Sequence, residues 1–218
     1  MDKEQKIFDA AMDYDFEAVR IYAESGNNLN VCNYRGHSLF ACFVVGYYHH
    51  LESDPEEQAL YDLHDEYDYD FWDSYVFKFQ RTPLEDRSDG ILEKLTFFLN
   101  HGADPNLCVL VDGMTETPLM QAVCNHDYYL TQYLLEHGAD PGVWLFSKQE
   151  YEKRDREYWL MDELDISIMN GDKGEAAGVV LSVAQLLWEY GLRDWSGYCI
   201  DIDMDTGVTG GHPMRVLF

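Results

Sequence analysis

The residues with the most unusual chemistry lie between Glu52 and Asp73. This stretch carries ten carboxylates, and six aromatic rings lie among or directly after them. No lysine or arginine occurs anywhere between Arg35 and Lys78. A loop that only faces solvent has no use for so many rings, because aromatic side chains favour packing and binding. Carboxylates steer a basic partner and buried rings anchor it, so the pattern predicts a protein-binding surface.

We predict that the partner-binding residues are the acids and rings in the second part of this stretch. They are Asp62, Asp65, Glu66, Tyr67, Asp68, Tyr69, Asp70, Trp72, Asp73 and Tyr75. The alternative is that the rings pack against the helix of this same segment while the acids only face water.

A calcium site is a weaker candidate near the end of the chain. Asp201, Asp203 and Asp205 begin like a calcium loop, but the glycine of that loop, Gly207, comes one position late. Position twelve is His212 instead of the usual glutamate. The segment is therefore interpreted as an acidic turn.

Other catalytic and metal-binding patterns are also weak. His64–Asp65 and His49–His50 resemble pairs of metal ligands, but no further ligands follow at a suitable spacing. The chain contains no GxSxG, GxGxxG or GxxxxGK[ST] motif. We therefore expect no catalytic residue, no bound metal and no cofactor.

The composition restricts the class of partner. Asp and Glu number 41 against 15 Lys and Arg, which gives a formal net charge of −26. Such a chain repels nucleic acid and anionic membranes, so we expect neither to be bound directly and expect a basic protein partner. Five cysteines without a CxxC pair, no leader peptide and no apolar run of about 20 residues indicate a reduced, cytoplasmic protein. We expect it to be a monomer when unbound.

A ten-residue pattern occurs twice and identifies the elements that must position these residues. FFLNHGADPN occupies 97–106 and YLLEHGADPG occupies 133–142, with TETPLMQAV at 115–123 between them. The pattern TPLMQAV followed by LLEHGAD resembles the ankyrin repeat, a pair of antiparallel helices followed by a projecting finger. The resemblance implies an all-α fold, an ankyrin-repeat solenoid of about four helix-turn-helix repeats in a single domain covering 1–218.

The family's spacing locates the ends of the helices. It places the start of a first helix 21 residues before the glycine that ends the second, and Thr117 to Gly138 fits this interval. The other predicted terminal glycines are Gly26, Gly102 and Gly191. Ser38 and Thr117 are predicted N-caps, and Pro118 the first residue of its helix. Apolar positions predicted to pack the first pair are Ile7, Ala10, Ala11, Ala18, Val19, Ile21 and Tyr22.

The same spacing predicts where the array departs from regularity. Ser38 to Gly102 is 64 residues, so most of 46–88 is predicted to be an insertion between the two helices of one repeat. The helix from Phe40 to Val45 would then pair with the helix that carries Ile91 and Phe98. The predicted units are repeats at 3–36, 37–112, 113–158 and 159–195, with an irregular C-terminal cap at 196–218.

The resemblance and the charge together predict a function. Ankyrin-like arrays bind proteins along a concave surface lined by fingers and first helices, so we predict an interaction module and no enzyme. Its acidity favours a module that binds and inhibits a basic protein, most specifically an immunity-type protein that neutralises a cationic toxin such as a nuclease. Small bacterial immunity proteins with ankyrin-like repeats form a known class. The alternatives are a nucleic-acid mimic that blocks a DNA-binding or restriction protein, and a general scaffold or adaptor.

Overall fold

The computed structural model describes residues 3–52, 59, 78–109, 117–141 and 175–191. Regular structure in these ranges is helical, which confirms the all-α part of the prediction. In the same ranges, β-type pairing is limited to isolated bridges between Cys32 and Ser38 and between His37 and Cys108. The helices are α1 (Lys3–Met12), α2 (Phe16–Glu24), α3 (Leu39–Glu52), α4 (Lys78–Arg81), α5 (Ile91–Asn100), α6 (Pro118–Cys124), α7 (Tyr128–Glu136) and α8 (Glu175–Glu189), with a 3-10 turn at Leu84–Asp86.

Two predicted N-caps are confirmed. The Ser38 hydroxyl accepts a hydrogen bond from the Ala41 N–H at 3.1 Å, and the Thr117 hydroxyl accepts one from the Met120 N–H at 3.2 Å. Pro118 occupies the first helical position, where a missing N–H costs nothing. These side chains satisfy backbone donors that the first turn leaves free.

Helices α2 and α7 begin with a common turn. Asp15 and Asp127 each accept a hydrogen bond, at 3.0 Å, from the backbone N–H three residues further on. The residue before each cap has a positive φ, 58° at Tyr14 and 51° at His126. Both turns therefore hold a bulky side chain in a backbone region that such residues seldom occupy.

The four glycines predicted to end second helices have left-handed backbone angles. The φ values are 81° at Gly26, 79° at Gly102, 91° at Gly138 and 102° at Gly191. At Gly102 and Gly138 the following residue's N–H returns to a carbonyl of the preceding helix. This is the usual way in which a helix ends on glycine, so the predicted helix ends are confirmed.

The core runs through the contacts between helices. The Phe40 ring in α3 stacks on the Phe98 ring in α5 at 4.8 Å between centroids, and Phe43 lies 5.0 Å from the same ring. Helices α3 and α5 are thus in contact although they are distant in sequence. The division into four repeats with an insertion stays a prediction.

Helix α2 corrects one predicted core position. Val19 and Ala23 are buried, but Ile21 is 53% exposed, so the prediction that it packs between the first two helices is wrong. Residues two apart in an α-helix point about 200° away from each other. With Val19 facing the core, Ile21 faces outward. Phe8 in α1, which the spacing did not select, is also buried.

Helix α3 is longer than predicted and contains a glycine at a close helix crossing. It continues beyond Val45 to Glu52, and Gly46 lies within it. A Cβ at Gly46 would lie 2.6 Å from the Met12 carbonyl oxygen and even closer to that of Ala11. Glycine therefore permits α3 to approach the end of α1, and does not end the helix.

Two asparagines link successive fingers. Asn30 donates to the Gly102 carbonyl and accepts from the Asp104 N–H, both at 2.8 Å. Asn106 makes the same pair of bonds to Gly138 and Asp140, at 2.8 Å and 2.7 Å. Each asparagine lies four residues after a helix-ending glycine. In each of these two fingers, one asparagine side chain thus contacts the next finger through both its amide N–H donor and its amide oxygen acceptor.

Replacing Asn106 by alanine is expected to lower the free energy of unfolding by about 1–2 kcal/mol, because two hydrogen bonds between fingers are lost. Urea denaturation measures this change. Asn27 makes one local hydrogen bond, to the Tyr22 carbonyl, so Asn27→Ala is the matched control. Equal effects of the two substitutions would show that the contact between fingers adds nothing.

Candidate functional site

The acidic stretch joins the array at the edge formed by the helical turns. We call this the turn edge; it comprises the turns before α2 and α7 and the end of α3. The end of α3 lies at the turn edge, as shown by the His50 ring, which stacks on the Tyr14 ring with centroids 5.0 Å apart. Helix α4 also lies at the turn edge, as shown by Gln80, whose side chain donates a hydrogen bond to the Asn125 carbonyl at 2.9 Å. The chain therefore leaves and re-enters the array on one edge.

The predicted partner-binding residues lie outside the described residues. They are Asp62, Asp65, Glu66, Tyr67, Asp68, Tyr69, Asp70, Trp72, Asp73 and Tyr75. The structure describes α3, which leads into this stretch, and the chain from Lys78 onward, which follows it. The contacts of these two flanking elements involve side chains that the sequence patterns did not select.

A buried arginine fixes the returning chain. The Arg87 side chain is 3% exposed and that of Asp127 is fully buried. Nη1 and Nη2 of Arg87 each donate to one carboxylate oxygen of Asp127 at 2.7 Å. This two-pronged geometry matches the planar guanidinium to the carboxylate and is the strongest form of ion pair.

The remaining donors of Arg87 are also used. Nε donates to the Thr82 carbonyl at 2.9 Å, and Nη2 to the Phe79 carbonyl at 2.7 Å. Nη1 donates to the Tyr47 hydroxyl at 2.9 Å. All five N–H groups of the guanidinium therefore have a partner, which is the condition for burying a charge without a large cost.

Asp127 connects three elements. Besides pairing with Arg87, it caps α7 and accepts a hydrogen bond from the Tyr48 hydroxyl at 3.2 Å. We call Arg87, Asp127, Tyr47 and Tyr48 the buried anchor. It joins α3, α7 and the chain that follows α4.

Burial and pairing set the protonation of the buried anchor. Burial lowers the pKa of Arg87, but the hydrogen bonds and charge of Asp127 more than compensate, so that this pKa lies above its ordinary value. Burial raises the pKa values of the Tyr47 and Tyr48 hydroxyls well above their ordinary range. Both tyrosines therefore remain neutral, and Arg87 stays charged.

Aromatic contacts extend the turn edge around Tyr14. Its ring lies 4.9 Å from Phe43 and 5.5 Å from Tyr47 between centroids. The Lys94 ammonium lies 4.0 Å from the centre of the Tyr14 ring, which places a cation against an aromatic face. Burial lowers the pKa of Lys94. Together with the buried anchor, these contacts make the turn edge densely packed.

His126 makes the stability of the turn edge dependent on pH. Burial lowers its pKa from 6.5 to about 4. Between these values the unfolded chain binds a proton that the folded chain does not, so stability falls as the pH drops through this range. Relative to His126→Asn, the wild type should lose about 1 kcal/mol of unfolding free energy between pH 7 and pH 5.5.

Urea denaturation at several pH values in this range measures the difference. Asparagine is the matched replacement because it tolerates the positive φ of this position. Identical pH dependence of the wild type and His126→Asn would contradict the assignment.

A pocket of about 380 Å³ lies beside α4. It is formed by α4, α7 and α8 and is lined by Gln80, Arg81, Tyr128, Tyr129, Gly178, Val179 and Ser182. Among these described lining residues none is acidic. These lining residues thus differ in charge from the residues of the acidic stretch.

The fingers lie at the opposite edge. Tyr34 is 71% exposed and Val109 is 49% exposed; the Val109 N–H donates to the Gly36 carbonyl at 3.0 Å. Arg35 donates from Nε to the Tyr34 hydroxyl at 3.0 Å. The 14 residues of α3 separate the two edges by about 20 Å. A partner that contacts both must span the array.

Neither a metal site nor a membrane span occurs among the described residues. That part of the chain holds no cluster of three or more His, Cys, Asp or Glu side chains suited to a metal ion. His49 and His50 lie on α3, whereas His64 and the 201–212 segment are outside the described residues. No helix within the described ranges combines the length and apolarity needed to cross a membrane.

The comparison with protein families supports the resemblance over part of the chain. Residues 116–144, which include α6 and α7, match the ankyrin repeat. No curated protein matches the chain. The ankyrin repeat is a protein-interaction fold of stacked helical hairpins, so the match indicates a protein–protein interaction module.

Proposed function

We propose that this interaction module binds and inhibits a basic protein through its acidic and aromatic stretch. The carrying observation is that ten carboxylates, with no lysine or arginine among them, lie between two points held on one edge of a packed array. A dense acidic surface raises the association rate of a cationic partner and excludes acidic ones. The interleaved rings supply the apolar contacts that hold a partner after encounter.

The specific form of the proposal is an immunity-type protein that neutralises a cationic toxin such as a nuclease. A nuclease must attract the phosphates of its substrate, so its active site is a region of positive potential. An acidic protein that docks there binds to the same positively charged surface as the substrate and blocks the substrate's access to the active site. The net charge of −26 suits this role, because it also repels the nucleic acid itself.

Two matched variants test the proposal. The insertion-amide variant converts the ten stretch carboxylates at 52, 54, 56, 57, 62, 65, 66, 68, 70 and 73 to amides. The control-amide variant makes the same change at Glu150, Glu152, Asp155, Glu157, Asp162, Glu163, Asp165, Asp172, Asp201 and Asp203. Both variants carry the same net charge, so any difference between them reports the position of the acids.

Tagged wild type and both variants are used to capture proteins from the source cells at low and high salt. We expect a basic protein, released by salt, to be recovered by the wild type and the control-amide variant but not by the insertion-amide variant. A toxin as this protein would support the immunity form, whereas a DNA-binding or restriction protein would favour mimicry of nucleic acid. Neutral partners whose recovery is unaffected by salt would refute the electrostatic proposal and favour a general scaffold.

A further inference from the structure

The chain that returns from the acidic stretch is attached to the array at several independent points. We call residues 78–87 the exit segment. The Phe79 ring lies 5.7 Å from the Tyr48 ring between centroids. Gln80 is 8% exposed and donates to the Asn125 carbonyl. These contacts add to those of Arg87 at the end of the segment.

Arg87 also closes the exit segment on itself. Two of its donors bind the Phe79 and Thr82 carbonyls, within the same segment. The others bind Tyr47 in α3 and Asp127 at the start of α7. One side chain therefore fixes both the internal shape of the segment and its location on the turn edge.

Stability alone does not explain this arrangement. A buried ion pair costs desolvation, and well-packed apolar residues of similar volume stabilise a core as well or better. The directed hydrogen bonds of a guanidinium, in contrast, define one orientation. The network is suited to setting where the chain re-enters the array.

We propose that Phe79, Gln80 and Arg87 are positioning residues for partner binding, although none of them touches the partner. This inference rests on the proposed function of the acidic stretch. Helix α3 leads into the stretch and the exit segment follows it, so both of these flanking elements are held on the turn edge. Fixing both ends reduces the number of conformations that binding must select among, which strengthens binding without a new contact.

A double-mutant cycle tests this inference. Phe79→Ala with Gln80→Ala releases the start of the exit segment and leaves the buried anchor in place. The pair is introduced into the wild type and into the insertion-amide variant, and the affinity of each protein for lysozyme, a compact basic protein, is measured by calorimetry at low salt. Urea denaturation confirms that each variant is folded under these conditions.

The expected result is non-additive. The two alanines should weaken binding about fivefold in the wild type and less than about twofold in the insertion-amide variant, because positioning matters only where the acids are present. Equal weakening in both backgrounds, or none in the wild type, would overturn the inference and leave the proposed function standing. If the insertion-amide variant bound lysozyme as tightly as the wild type does, the proposal that the acids of the stretch attract a basic protein would itself fail.

Discussion

Replacing Arg87 by methionine is expected to lower the free energy of unfolding by about 3–5 kcal/mol, because it leaves the Asp127 carboxylate buried without its partner. Methionine fills a similar volume but offers no N–H group. The hydroxyl of Tyr47 and the carbonyls of Phe79 and Thr82 lose a donor at the same time. Urea denaturation followed by circular dichroism measures the loss.

Arg20→Met is the control for this substitution. Arg20 also pairs closely with carboxylates, at 2.6 Å from Glu17 and 2.7 Å from Glu24, but on the surface. Water and salt screen an exposed pair, so its loss should change stability far less. Adding Asp127→Asn to the Arg87 variant removes the unpaired charge and should restore part of the stability. Equal effects of the Arg20 and Arg87 substitutions would show that the buried anchor does not stabilise the fold.

The second large effect is expected at Gly46. Alanine there should lower the free energy of unfolding by about 2–3 kcal/mol, because its Cβ would meet the backbone oxygens of Ala11 and Met12 and force α1 away from α3. Backbone atoms cannot move aside as the end of a flexible side chain can. Thermal and urea denaturation measure the change.

Gly178→Ala is the matched control, since Gly178 also lies within a helix but a Cβ added there would meet no atom of the described residues within 4 Å. Alanine is the better helix former, so this variant should gain about 0.5–1 kcal/mol. A similar gain at Gly46 would mean that α1 and α3 do not approach as closely as described.

The sequence predicts the helix ends well because local rules govern them. Ser38 and Thr117 cap the helices that follow, and Gly102 and Gly138 have the left-handed φ that ends a helix. Each feature depends on residues within one or two turns. A repeated spacing is enough to find them.

The contacts of the turn edge cannot be predicted in this way. Arg87 and Asp127 are 40 residues apart, and no local pattern marks one as the partner of the other. The spacing predicts that the regular helix stops before Gly46, because the interval from Ser38 to Gly102 shows that extra residues are present but does not show how far the helix continues into them. It also places Ile21 in the core, because an apolar residue type does not reveal which side of a short helix it faces.

The candidate binding residues are selected from composition, which indicates the kind of partner but not the arrangement of the side chains. The acids and rings from Asp62 to Tyr75 remain a prediction because they lie outside the described residues. What the structure adds is the location of their attachment. The buried anchor and the exit segment hold that attachment on the turn edge, about 20 Å from the fingers.

We expect the position of the acids in the stretch, and not the overall charge, to determine binding. The most direct measurement is a calorimetric titration of the purified captured protein with the wild type, the insertion-amide variant and the control-amide variant. We predict that the insertion-amide variant binds at least about tenfold more weakly than the wild type, and the control-amide variant less than about threefold more weakly. Equal weakening by the two variants, or an unchanged affinity of the insertion-amide variant, would contradict the claim.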